Sequence, residues 1–73
     1  MQEKDVLSEF SKRLKAIRKK RNLSQENLAL ICDIDRTYVG RLENLKRNPS
    51  LFVLAKIAKG LDIKLSELVD FEI

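Results

Sequence analysis

Residues 35 to 44, DRTYVGRLEN, combine two arginines, a threonine, a glycine and an asparagine at a spacing suited to recognition. Wound as a helix, Arg36, Thr37, Gly40, Arg41 and Asn44 recur at intervals of three and four residues and so share one face. A guanidinium can donate two parallel hydrogen bonds to a guanine edge, and threonine can meet a thymine methyl. A glycine inside a helix costs about 0.5–1 kcal/mol relative to alanine. Close approach of the backbone to a groove floor would compensate for it. The remaining composition supplies no catalytic set: there is no histidine, no phosphate-binding loop, no cysteine pair and no carboxylate pair placed for acid–base work. Cys32 would lack a histidine base. The expectation is a binding protein and not an enzyme, with no cofactor and no metal.

Periodicity defines the elements that must hold this stretch. Leu7, Phe10, Leu14 and Ile17 form one apolar stripe and predict a helix from about 6 to 21. Asn22 can take a left-handed stop, with Leu23 packing back. Ser24 caps a second helix that carries Gln25 and Glu26 in its first turn and turns Leu28, Ala29 and Cys32 inward. Asp33 suits a tight turn because aspartate tolerates positive φ. Ile34 plugs the core, Asp35 caps a third helix, and Val39 and Leu42 continue its buried stripe. Pro49 forbids helix, and Ser50 caps a fourth with Leu51, Leu54, Ile57, Ala58 and Leu61 inward. A last short helix spans about 65 to 70, and DFEI at the end could extend. The fold class expected is all-α, with five helices in a single domain over residues 1–73.

Two short helices joined by a turn of three or four residues, the second opening with polar and basic groups, describe a helix-turn-helix over about 25–44. Their crossing requires a small residue at the fifth position of the motif, which is Ala29. Apolar residues must lock it at the eighth, tenth, fifteenth and eighteenth, which are Cys32, Ile34, Val39 and Leu42.

The segment QENLALICDIDRTYVGRLENLKRNPSL resembles the helix-turn-helix of the Cro and phage-repressor superfamily, and IDRTYVGRLE followed by KRNPSL is most similar to the controller proteins of restriction–modification systems. Asp33 stands where that pattern usually has glycine, and Leu45 replaces the glycine that usually follows the third helix, which predicts a helix end at Asn44 of slightly different geometry. The resemblance implies a transcription regulator that binds its own promoter as a homodimer on a palindromic double-stranded DNA operator, activating at low occupancy and repressing when a second dimer fills an adjacent site. A contact with RNA polymerase is implied for the activating state. Base contacts are expected from Arg36, Thr37, Gly40, Arg41 and Asn44, and backbone contacts from Gln25, Tyr38, Lys46, Arg47, Asn48 and Ser50. For Arg36 the structural alternative is a salt bridge with Asp33 or Asp35. For Tyr38, on the exposed side by spacing, it is partial core packing, and for Gly40 a contact between helices.

Charge and apolar surplus complete the reading. Residues 1–23 carry eight Lys/Arg against three Asp/Glu, whereas the rest of the chain is nearly balanced. The basic run KRLKAIRKKR raises the prior for a polyanion partner, although Lys12, Arg13, Lys19 and Lys20 could equally be a solvated face. No set of exposed aromatics suits stacking on RNA bases. Phe52, Val53, Val69, Phe71 and Ile73 exceed what the motif core needs and are expected at a dimer interface within 51–73. Leu30 and Ile31 are apolar on the second helix without an evident role. One cysteine, no bilayer-spanning run and no signal pattern predict a cytoplasmic location. The rival expectation is a helical protein-interaction module, an antitoxin or bridging factor, with weak DNA binding.

Overall fold

The computed structural model describes residues 3–73, with side-chain surroundings from Asp5 onward. Five helices follow in order: α1 (Glu3–Lys20), α2 (Gln25–Cys32), α3 (Arg36–Glu43), α4 (Leu51–Gly60) and α5 (Leu65–Leu68). No strand occurs among the described residues, so the DFEI terminus does not form one. Helix α1 begins three residues before the expected 6 and α5 ends two residues short of the expected 70.

The caps expected from sequence are in place. Ser24 accepts a hydrogen bond from the Asn27 N–H, Asp35 from the Thr37 N–H and Ser50 from the Val53 N–H, each satisfying one orphan donor of a first turn. Asn22 and Asp33 adopt the left-handed conformation, with φ of 57° and 55°. Leu45 does the same, at φ 61°. The helix therefore ends at Glu43 with Asn44 as cap, and the turn keeps the form a glycine would give it, although a leucine occupies it.

The core gathers Phe10 and Leu14 of α1, Leu28, Ala29 and Cys32 of α2, Val39 and Leu42 of α3, Ile57 and Ala58 of α4, Leu61, and Leu68 of α5. Ala29 lets α2 and α3 cross closely, and Ile34 packs against the cluster from the turn between them. Leu51 departs from expectation: it is 70% exposed, because the apolar stripe of α4 runs on past the edge of the core at its first turn. Burial pushes the Cys32 thiol up to about 11, and the group donates weakly to the Ile57 carbonyl.

Gly60 ends α4 against the last turn of α2. A Cβ there would sit 2.6 Å from Cys32 Sγ and 2.7 Å from both Cys32 Cα and the Ile31 carbonyl oxygen. Backbone cannot retreat from such an overlap as a side-chain tip can. Gly60 is thus a packing requirement of the α2–α4 contact.

Candidate nucleic-acid interface

The inner face of α3 is fixed by a buried charge. Val39, Leu42 and Glu43 lie at the i, i+3 and i+4 positions of one stripe and are all buried. Arg18 of α1 meets the Glu43 carboxylate with both ends of its fork, Nε at 2.7 Å and Nη2 at 2.9 Å. Gln25 donates its side-chain amide to the same carboxylate at 3.0 Å, and the Ser11 hydroxyl donates to the Glu43 backbone carbonyl at 2.7 Å. Burial by itself would raise the Glu43 carboxyl. The hydrogen bonds from Arg18 and Gln25 and the charges of Arg18 and Lys15 outweigh it and hold the group below the usual carboxylate value. Arg18 also donates to the Leu23 carbonyl, so α1, the start of α2 and the end of α3 are tied at one point.

Neither Arg18 nor Glu43 was expected from sequence to matter. The available signal was Glu43 itself: a carboxylate on the apolar stripe of a short helix must find a cation. Other members of the basic run are similarly engaged in the fold. Arg13 donates twice to the Glu67 carbonyl and Arg21 donates to the Leu61 carbonyl. Lys12 pairs with Glu9. Of the four N-terminal cations weighed as polyanion contacts, Lys19 and Lys20 remain as exposed charges in the last turn of α1.

On its outer face α3 gathers the expected base-contacting groups. Arg36, Thr37, Gly40, Arg41 and Asn44 line one shallow depression together with Gln25 and Lys46. Arg36 does not pair with Asp33 or Asp35. Its Nη1 lies 3.4 Å from Glu26 Oε2 with both side chains well exposed, because the first turns of α2 and α3 stand side by side. Tyr38 is half-buried and packed against the core, contrary to its exposed placement by spacing, and Arg47 sits 5.2 Å above its ring. A second depression joins Tyr38 and Arg47 with Asp35, Thr37 and Arg41. Lys46 and Asn48 are exposed, while the Ser50 hydroxyl serves as the α4 cap. The contact between helices considered for Gly40 is present but loose: the nearest atom to a Cβ there would be Gln25 Oε1 of α2 at 3.6 Å, an ordinary van der Waals distance that leaves room for a methyl.

The residues expected at a dimer interface divide. Phe52 and Ile73 are strongly exposed and Val69 is partly exposed. Val53 and Phe71 are half-buried and pack against the chain's own core. Ile31 and Phe52 line one groove with Ala55, Lys56 and Lys59, which gives Ile31 a shared surface with α4, whereas Leu30 is exposed outside it.

A family model described as helix-turn-helix matches residues 14–68. The control protein C.MunI of a Mycoplasma species is 52% identical over 65 residues, covering 88% of each chain. Among solved structures, the restriction–modification controller protein C.AhdI from Aeromonas hydrophila superposes with a TM-score of 0.81 at 45% identity, covering 85% of this chain and 94% of that one. The controller protein C.Esp1396I, solved as a tetramer in complex with its natural 35 base-pair operator, superposes with a TM-score of 0.77 at 32% identity over 88% and 93% of the two chains.

Proposed function

The chain belongs to the helix-turn-helix family, among the relatives of the restriction–modification control proteins, and from that membership we propose that it is a transcription regulator that binds double-stranded DNA sequence-specifically as a homodimer on a palindromic operator. The observation that carries this reading is the outer face of α3. Four side chains able to address base edges, Arg36, Thr37, Arg41 and Asn44, line one depression with Gly40, Gln25 and Lys46 above a helix whose opposite side is locked by Glu43 and Arg18. A rigid helix presenting solvent-exposed polar groups, Arg36 held only by an exposed ion pair with Glu26, is what readout in the major groove requires.

In this reading Arg36 and Thr37 meet bases from the first turn, Arg41 and Asn44 extend the contact, and Gly40 lets the helix backbone approach the groove. Gln25 at the start of α2, Tyr38, Lys46, Arg47, Asn48 and Ser50 hold the phosphates. The exposed Phe52 and Ile73 and the partly exposed Val69 supply the apolar contact between copies, and Val53 and Phe71 contribute through the surface their own core leaves uncovered. A two-fold dimer presents two recognition helices about 34 Å apart, one turn of B-DNA. Autoregulation of a restriction–modification operon, with two dimers on adjacent sites, is the finer form of the proposal. It is supported by the kinship to C.MunI and C.AhdI and by the operator-bound tetramer of C.Esp1396I.

The test is selection from a random duplex pool by the purified protein at physiological salt, with sedimentation of the same sample. Enrichment of a palindrome with half-sites about one helical turn apart is expected, together with a dimer that Phe52→Asp dissociates. A folded protein that enriches no sequence would overturn the reading in favour of a module whose partner is another protein.

A further inference from the structure

Four helix ends among the described residues use the same turn. A residue with positive φ stands at 22, 33, 45 and 62. The next residue's N–H donates back to the carbonyl five positions earlier: Leu23 to Arg18, Ile34 to Ala29, Lys46 to Arg41 and Ile63 to Ala58. Three of the four share a side-chain logic as well. The left-handed residue is Asn22, Asp33 or Asp62, types whose short polar side chains tolerate that conformation, and the following Leu23, Ile34 or Ile63 packs against the core.

At the end of α3 the order is inverted. Leucine takes the left-handed position and a lysine follows it. Leu45 is 42% exposed and belongs neither to the core nor to the apolar residues packed against it. Lys46, where the other turns place their core plug, is exposed. The inverted turn is also the one at the candidate interface: Asn44 and Lys46, on either side of Leu45, both line the depression beside Arg36 and Gly40, and no other turn of the set contributes to it. The left-handed backbone closes the turn through the Lys46–Arg41 hydrogen bond, but the leucine side chain gains nothing from the core, and a strained residue type kept without a packing return points to a contact outside the fold.

We propose that Leu45 is a DNA-contacting residue, supplying an apolar contact to the groove wall, a deoxyribose or a thymine methyl, between the polar contacts of Asn44 and Lys46. This rests on the DNA-binding reading of α3. Apolar contact with a thymine methyl is a recognised element of sequence readout, and the lysine that follows keeps the same turn attractive to phosphate.

The experiment titrates a duplex selected from a random pool by the wild-type protein with Leu45→Gly, Leu45→Asn and Leu45→Met, at a temperature where circular dichroism finds each folded. Glycine and asparagine relieve the left-handed strain, so both variants are expected to melt no lower than wild type. Both should lose roughly five- to tenfold in affinity, the scale of partly uncovering one leucine, while Leu45→Met binds as wild type does. Replacing thymine by deoxyuridine then separates the sources: a wild-type loss that Leu45→Gly does not share assigns the contact to a methyl, and no loss assigns it to sugar. Wild-type affinity in Leu45→Gly, a lowered melting temperature in that variant, or a weakened dimer in sedimentation would overturn the proposal. If the wild-type protein selects no sequence, the reading of α3 fails and this contact fails with it; loss of the contact alone leaves selection intact.

Discussion

Helix α3 has one face that the fold closes and one that it leaves open. On the inner side Val39 and Leu42 are buried and Glu43 accepts from Arg18 and Gln25. On the outer side Arg36 holds a single well-exposed ion pair with Glu26 at 3.4 Å, a type worth about 0–1 kcal/mol and readily exchanged for another partner. The two glycines repeat this contrast. Gly60 is required because a side chain would overlap the backbone of α2, whereas Gly40 faces only a van der Waals contact with Gln25 Oε1. The inner positions answer to packing and desolvation, whereas the fold leaves the outer ones unconstrained and so open to the proposed DNA partner.

Removing the lock beneath the helix should have the largest effect. Arg18→Ala would leave the Glu43 carboxylate buried without its cation, which costs about 3–5 kcal/mol, and chemical denaturation should register it. A loss below about 1 kcal/mol would remove the distinction between the two faces. Gly60→Ala comes next: forcing a methyl into the α2–α4 contact should cost about 1–3 kcal/mol, read as a lowered melting temperature.

Acid tests the same lock without a large substitution. Glu43 is held below its ordinary value of 4.5 when folded, so its contribution is fully present above that value and is lost as pH falls through the lower folded value. Stability should therefore decline below about pH 4.5, and Glu43→Gln should remove part of that slope at the expense of stability at neutral pH. An unchanged acid limb would contradict the role of Glu43. The smallest effect on stability belongs to Gly40→Ala, which should raise it by about 0.5–1 kcal/mol from helix propensity while weakening DNA binding. Retained binding would sever Gly40 from the interface.

Much of the architecture was legible because it rests on local rules. Ser24, Asp35 and Ser50 are caps by residue type, Asp33 is a left-handed turn by residue type, and Ala29, Cys32, Ile34, Val39 and Leu42 are core by spacing. The candidate face on α3 was legible for the same reason, since helical periodicity alone puts Arg36, Thr37, Gly40, Arg41 and Asn44 together. What escaped depends on contacts between distant segments. Nothing local pairs Arg18 with Glu43 across 25 positions, nor moves Tyr38 inward beneath Arg47, nor leaves Leu51 outside the core on the stripe it shares with Leu54. Nor does anything local show that the backbone of Ile31 and Cys32 lies against Gly60.

If the outer face of α3 reads DNA sequence, Arg36→Ala compared with wild type on a selected duplex and on a scrambled duplex of equal length and salt will show it. Loss of a bidentate base contact predicts a cost of about 1–3 kcal/mol on the selected duplex with nearly unchanged affinity for the scrambled one. Equal losses on both duplexes would mean that Arg36 contributes charge alone, and would contradict the account.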